Sequence, residues 1–456
     1  MRSGPRISLD EFARHRAELM QLMEPNSIAI LPASQAKTRN SDVEYSFRQD
    51  SDFYYLSGFE ETDSVFVLIP GREHGESILF CRERDEEFER WNGPLCGPDK
   101  ARQLHGLEDA FPIADIDEIL PGMIEGKDRL YYAMGVNRDF DNRIIEWVNS
   151  ISAHRKQGAQ PPGEFIQLGQ FLHELRLFKS KHEVAMLKHA ANITTKAHIR
   201  AMERAVPGMY EYQLEAEMQF LFSSEGARSA AYPTIVGSGQ NACILHYTAN
   251  SDVLQDGDLV LIDAGCEYQC YASDVTRTFP VSGRFNAQQK AIYEIVQEAQ
   301  KAAINMVRPG NSWNQPHEAA IRVVCEGLLE LRLLTGEIEE LIETEAFKPF
   351  YMHKTGHWMG LDVHDVGEYK VGDEWRIFEE GMVLTVEPGI YISKGLNLNS
   401  DEVPSQAAAK VPAEWRGLGI RIEDNLLVTR NGNEVLTSGI PKEIDEIEKL
   451  RSQADN

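Results

Sequence analysis

The chain has 456 residues, 42% of them apolar and 26% charged, with a net charge of −26. That length predicts two domains, and the acidic balance argues against a nucleic-acid partner, whose phosphates require a basic footprint. Six cysteines (Cys81, Cys96, Cys243, Cys266, Cys270 and Cys325) are sparse for this length and read as reduced, buried thiols.

The N-terminus, MRSGPRISLDEFARHRAEL, lacks the apolar run of a secretory signal, because Asp10, Glu11 and Glu18 interrupt it. Its arginines leave a mitochondrial presequence as the alternative. Runs such as SVFVLIP and LVLIDAG are too short to span a bilayer, so a cytoplasmic protein with no membrane contact is expected. RHRAELMQLM reads as an amphipathic helix, and SIAILPAS, SVFVLIP and ESILFCRER read as strands. The stretch Gln157–Gly163, QGAQPPG, is a turn or linker by composition. EFIQLGQFLHELRLFK then reads as a helix joining a domain over 1–176 to one over 177–456.

Ser180-Lys-His-Glu183 is a capping-box pattern that opens the second domain. Val184, Leu187, Ala191, Ile199, Met202 and Val206 follow it at helical steps, and Pro207-Gly208 ends the run. A second helix spans Glu211 to about Gly226, with strand-like material from Tyr232 to Thr248. Helices over Ala287–Val307 and Ser312–Leu333 come later, the first closed by Pro309-Gly310. Two helix pairs of this kind suggest an internal duplication, although no clear sequence repeat accompanies them.

Five residues in this half are of the types that bind hard divalent metals: Asp263 in LVLIDAG, Asp274 in YASDVTRTF, His357 in GHWMGLDVHD, Glu387 in TVEPGIY and Glu423 in GIRIED. Four carboxylates and one imidazole are too anionic to assemble without cations. Such a set suits manganese or magnesium better than a thiolate-type zinc site. Two ions sharing a water would suit metal-assisted hydrolysis. Asp263 ends an apolar strand, and a hairpin could bring Asp274 to face it. The competing reading is that each aspartate merely caps a turn.

His353, His357 and His364 cluster among glycines, and the absence of HExxH argues for a strand and loop rather than a zincin helix. In Ile420-Arg421-Ile422-Glu423 the alternation puts Arg421 and Glu423 on one face, where the arginine can offset nearby carboxylates. Three other readings fail. Cys266-x-x-x-Cys270 has no second soft-ligand cluster, Gly237-Ser-Gly239 lacks the third glycine of a dinucleotide fingerprint, and Ser238 and Ser273 have no GxSxG elbow.

In combination, LIDAG, SDVTRTFP, HxxxHWxGLDVHD, TVEPGIY and GIRIED resemble the pita-bread metallopeptidases. The run from Asn40 to Phe59 and the motif Trp91-Asn-Gly-Pro94 look like the N-terminal domain of the aminopeptidase P family. The resemblance covers nearly the whole chain. It implies an α/β (α+β) protein, with a smaller N-terminal α/β domain and a C-terminal pita-bread catalytic domain.

It further implies Asp263, Asp274, His357, Glu387 and Glu423 as ligands of two divalent metal ions, Mn2+ above all. His246, His353 and His364 would line the substrate pocket, with Tyr391 and Arg421 as supporting residues. Glu387, His246 and His364 would be catalytic. The implied activity is release of the N-terminal residue from peptides with proline second. A homo-oligomer, a tetramer, is also implied, with Trp91 near a neighbouring site; an ordinary core role is the alternative for Trp91. Lys354 departs from the small residue or arginine expected there. Prolidase shares the metal motifs, and methionine aminopeptidase shares the catalytic fold without so large an N-terminal domain. A non-catalytic peptide-binding relative would be expected to have lost ligands, and all five are present here.

Overall fold

The computed structural model describes residues 4–396 and 411–454. The chain divides into a unit spanning Ile7–Arg176 and a unit made of Leu177–Asn456 with Met1–Arg6.

The first unit is built on a six-stranded mixed sheet. Its spatial order is Asp109–Pro112, Ser77–Cys81, Val65–Leu68, Ser27–Pro32, Arg129–Tyr132 and Glu164–Gln167. Ser27–Pro32 lies at the centre, antiparallel to Val65–Leu68 and parallel to Arg129–Tyr132. Val65–Leu68 and Ser77–Cys81 are buried along their whole length, which is why they read as continuous apolar runs rather than alternating ones. Helix Arg138–Ala153 buries Phe140, Ile144, Trp147 and Ile151, a single stripe at three- and four-residue steps. These side chains join Ile116, Leu120 and Ile124 of helix Ile116–Ile124 over the sheet. Each such burial is worth roughly 1.5–3 kcal/mol.

One expectation fails here. Residues 164–179 are not one helix: Glu164–Gln167 is the edge strand, parallel to Arg129–Tyr132, and the helix is only Gly169–Leu177. Four residues of mixed polarity carry no period that separates edge strand from helix, and the partner strand lies far away in sequence.

In the second unit the helices fall where the periodicity places them. Lys181–Arg204 opens on the Ser180 capping box: the hydroxyl accepts from the backbone N–H groups of His182 and Glu183, and the Glu183 carboxylate accepts from Ser180 N. Glu211–Ser224 follows, and Ala287–Met306 packs on Gln315–Glu330. Both Pro-Gly stops hold, with Gly208 and Gly310 at φ of 90° and 88°. The strand-like stretch 232–248 contracts to Ile235–Ser238, followed by a 3-10 turn over Gly239–Cys243.

After each helix pair comes an antiparallel strand pair. Leu259–Asp263 lies between Ile235–Ser238 and Thr276–Pro280, and Val383–Val386 pairs with Asp424–Thr429. Gly389–Ile392 pairs with Leu418–Arg421. This recurrence is the structural form of the duplication, and it decides where the acidic side chains meet.

Candidate active site

The two strand pairs deliver carboxylates in the same way. Asp263 is the last residue of its strand and is in register with Thr276, while Asp274 lies just before Thr276. In the other pair Val386 is in register with Asp424, so Glu387 directly follows one strand and Glu423 directly precedes its partner. Asp274 is therefore not on a strand facing Asp263, as a simple hairpin predicts. Between the paired strands the chain makes a separate hairpin, Cys266–Tyr268 with Tyr271–Ala272. At its neck a Cβ on Gly265 would lie 1.7 Å from the Ser273 carbonyl oxygen, so the crossing excludes any larger residue. Asp274 is then fixed through its backbone N–H, which donates to Asn425 Oδ1 at 3.1 Å.

His357 comes from a loop stitched to the second strand pair. Its N–H donates to Thr385 Oγ1 at 3.1 Å, Thr385 N donates to its carbonyl at 2.9 Å, and Glu387 N donates to Thr355 O at 2.8 Å. A Cβ on Gly356 would sit 2.1 Å from the Thr385 carbonyl oxygen. The ring nitrogen Nδ1 faces its neighbour's carbonyl, Trp358 O, at 3.0 Å, which leaves Nε2 aimed at the carboxylates. From Nε2 it is 3.3 Å to Asp274 Oδ2 and 3.6 Å to Glu387 Oε1. One donor atom each from Asp274, His357 and Glu423 lie within 4.8 Å of one another.

Arg421 ties the set together. Its guanidinium donates to Asp263 Oδ2 at 2.6 Å, to Tyr391 Oη at 2.9 Å and to Thr276 Oγ1 at 3.0 Å. Thr276 Oγ1 in turn donates to Glu423 Oε2 at 2.7 Å. Arg421 and Glu423 thus share a face, as the alternation with buried Ile420 and Ile422 predicts. Tyr391 Oη reaches His353 Nε2 at 2.8 Å, while His353 Nδ1 lies 2.8 Å from the Lys354 carbonyl.

The electrostatics follow from burial and crowding. Burial, then the charges of Asp274 and Glu387, hold Glu423 well above the usual carboxylate range. Burial pushes Glu387 up to about 7 against the pull of His357 and Arg421, and it raises Asp263 against Arg421. Burial alone would lower His357, but the hydrogen bond to Asp274 and the charges of Glu387 and Asp274 outweigh it and push the imidazole up to about 9. Burial, with Arg421 nearby, takes His353 down to about 3, so that ring is neutral. Burial and His357 also lower His364, whose ring stands edge-on to His357 at 4.3 Å. Oxygen donors this buried, with one imidazole drawn towards positive charge, fit hard divalent cations and not soft ones.

All five predicted ligands line one cavity of about 700 Å³ together with His246, His353, His364, Lys354 and Arg421. Tyr391 stands behind it through its bonds to Arg421 and His353. Trp91 belongs to the N-terminal unit, on helix Glu86–Asn92, and is 84% exposed, which excludes the core reading. The sequence reading missed Tyr232, whose hydroxyl lies 2.6 Å from Asp263 Oδ1 and also within hydrogen-bonding reach of Asp274 Oδ1, so its one proton is shared between the two carboxylates. Burial and the charge of Asp263 keep that phenol protonated. No motif flags it, since its role depends on where two distant segments converge. Thr276 and Thr385, which also contact the carboxylates, were missed for the same reason.

Residues 185–430 match Metallopeptidase family M24, and residues 12–132 match the Aminopeptidase P, N-terminal domain. The chain belongs to the M24 metallopeptidases of the aminopeptidase P type. The Xaa-Pro aminopeptidase of Escherichia coli K12 is 44% identical over 445 residues, covering 97% of this chain and 98% of that one. The structure of Pseudomonas aeruginosa aminopeptidase PepP matches with a TM-score of 0.94 at 56% identity, over 99% of both chains. Aminopeptidase P from E. coli with the inhibitor Pro-Leu matches with a TM-score of 0.93 at 44% identity, again over 99% of both. The M24 unit is the pita-bread domain, preceded by the aminopeptidase P-type α/β domain, as the sequence motifs imply.

Proposed function

We infer that this chain is an Xaa-Pro aminopeptidase, a metallo-exopeptidase that releases the N-terminal residue from peptides with proline in the second position. The observation that carries this reading is the convergence of four carboxylates and His357 on one cavity that also presents His246, His353 and His364. Asp263, Asp274, His357, Glu387 and Glu423 would hold two divalent ions, with Mn2+ the best fit to the donor set. When bound, such ions lower the pKa of water and polarise a carbonyl.

The protein's own groups do the rest. The scissile bond before proline is a tertiary amide with no N–H, and its leaving nitrogen must gain a proton as the C–N bond breaks. Glu387 takes the proton of the attacking water and delivers it to that nitrogen. His246 and His364 hold the peptide and donate to the carbonyl oxygen as negative charge develops there. Neutral His353, fixed by Tyr391, shapes the proline pocket. Arg421 keeps Asp263 oriented. Among the described residues no helix is long and apolar enough to cross a membrane, and we place the enzyme in the cytoplasm, as a homotetramer.

The deciding experiment compares kcat/KM for an Xaa-Pro dipeptide with that for Xaa-Pro-Xaa and longer peptides. Longer peptides should be preferred, with only the first residue released. Efficient dipeptide cleavage with tripeptides refused would make the enzyme a prolidase. Chelation should abolish activity and manganese should restore it better than calcium; full activity in protein shown to be metal-free would defeat the dinuclear site.

A further inference from the structure

His246 lines the cavity, yet among the described residues no hydrogen bond holds its ring. Its position is set by the segment that carries it, Ile235–Asp252, and that segment converges on one side chain. Glu211, the first residue of helix Glu211–Ser224, is fully buried. Its Oε1 accepts from Ser238 N at 2.7 Å, Ser238 Oγ at 2.8 Å and Asn241 Nδ2 at 3.2 Å. Its Oε2 accepts from Tyr247 Oη at 2.8 Å and Asp252 N at 2.9 Å. Five donors, drawn from the beginning, middle and end of the segment, therefore close on a single carboxylate. A carboxylate, with acceptor lone pairs on both oxygens, can take all five donors, which a side-chain amide cannot.

Tyr247 is the neighbour of His246, and its ring packs with Leu245 against the cluster of Ile235, Ala242, Leu261 and Tyr391. The residues on both sides of His246 are thus pinned, one by packing and one by packing and Glu211. We propose that Glu211 is a positioning residue for catalysis, one that acts through His246 by locking the 235–252 segment so that the imidazole faces the scissile bond. This rests on the Xaa-Pro aminopeptidase reading and on the role given there to His246.

A double-mutant cycle on Xaa-Pro-Xaa cleavage tests it, with the fully metallated enzyme and folding checked by thermal midpoint. Glu211→Gln preserves volume but turns one oxygen into a donor, so some of the five bonds must break. It should lower kcat/KM by about 10-fold, the ordinary scale of coupling between groups in one network. In a His246→Ala background the same change should cost almost nothing, because the group being positioned is gone. Equal losses in both backgrounds, or no loss in the first, would overturn the proposal. Tyr247→Phe, which removes one bond beside His246, should show a smaller loss with the same non-additivity, and it decides the matter if Glu211→Gln does not fold. Absence of wild-type activity on these peptides would instead strike the aminopeptidase reading itself, and a silent His246→Ala would strike the role of His246.

Discussion

In the proposed mechanism Glu387 carries a demand that the other carboxylates of the site do not: besides contributing to holding cations, it binds and releases a proton as the peptide bond breaks. Burial pushes its carboxyl up to about 7 against the pull of His357 and Arg421, and cations bound beside it would favour the ionised form that holds them. Thr385 Oγ1 donates to Glu387 Oε1 at 3.3 Å and restrains the side chain from one side. Glu387→Gln keeps the shape and removes the titrating oxygen. It should lower kcat by at least about 100-fold, the usual scale for general acid–base help. Metal content must be measured alongside, since the amide is also a poorer ligand. A variant with its metals bound and kcat near normal would take the proton transfer away from Glu387.

Helix Lys181–Arg204 shows what an element contributes beyond packing. Its buried face includes His198, whose Nε2 is 3.0 Å from the Ala264 carbonyl, next to Asp263. The other ring nitrogen has no partner among the described residues. Burial, against that single hydrogen bond, takes the imidazole down to about 4. The unfolded chain, with an ordinary histidine near 6.5, therefore binds the proton more readily than the folded one. The contribution to stability is complete above pH about 6.5, declines as pH falls towards 4, and levels off below that. Over that window it amounts to about 3 kcal/mol. The thermal midpoint of the M24 unit should drop between pH 7 and pH 4.5, and His198→Gln should flatten the drop. Identical slopes in the two proteins would remove His198 as the cause, because the other buried histidines titrate in both. The helix itself was legible in the sequence, cap and stop included, because its period and its Ser180 and Pro207-Gly208 signals are local. The five proposed ligands were legible because each sits in a dense local motif. The edge strand Glu164–Gln167 was not, nor were the path to Asp274 and the bridging hydroxyl of Tyr232. Those depend on partners brought in by distant parts of the chain, which no local pattern encodes.

At the scale of the whole molecule the N-terminal unit presents apolar surface that its own core does not use. The hairpin Thr38–Asn40 with Val43–Glu44 has no buried residue, and Val43 and Tyr45 are about half exposed. Helix Glu86–Asn92 buries none of its side chains either, and Trp91 stands almost wholly in solvent. A lone exposed apolar residue is ordinary, but a tryptophan this exposed is a poor use of a large apolar ring in an isolated chain. Aromatic side chains of this kind are enriched at protein interfaces, where ring burial supplies much of the binding energy. The carboxylate-rich surface behind the net charge of −26 opposes indiscriminate association, so any interface must be specific and apolar at its centre. These features support self-assembly through the N-terminal unit, and a homotetramer is the expected state. Light scattering at micromolar concentration should give four times the chain mass, and Trp91→Ala should weaken the assembly and reduce kcat/KM for longer peptides if the ring also borders a neighbouring cavity. A monodisperse monomer at that concentration would end the assembly proposal and leave the exposure of Trp91 without a function.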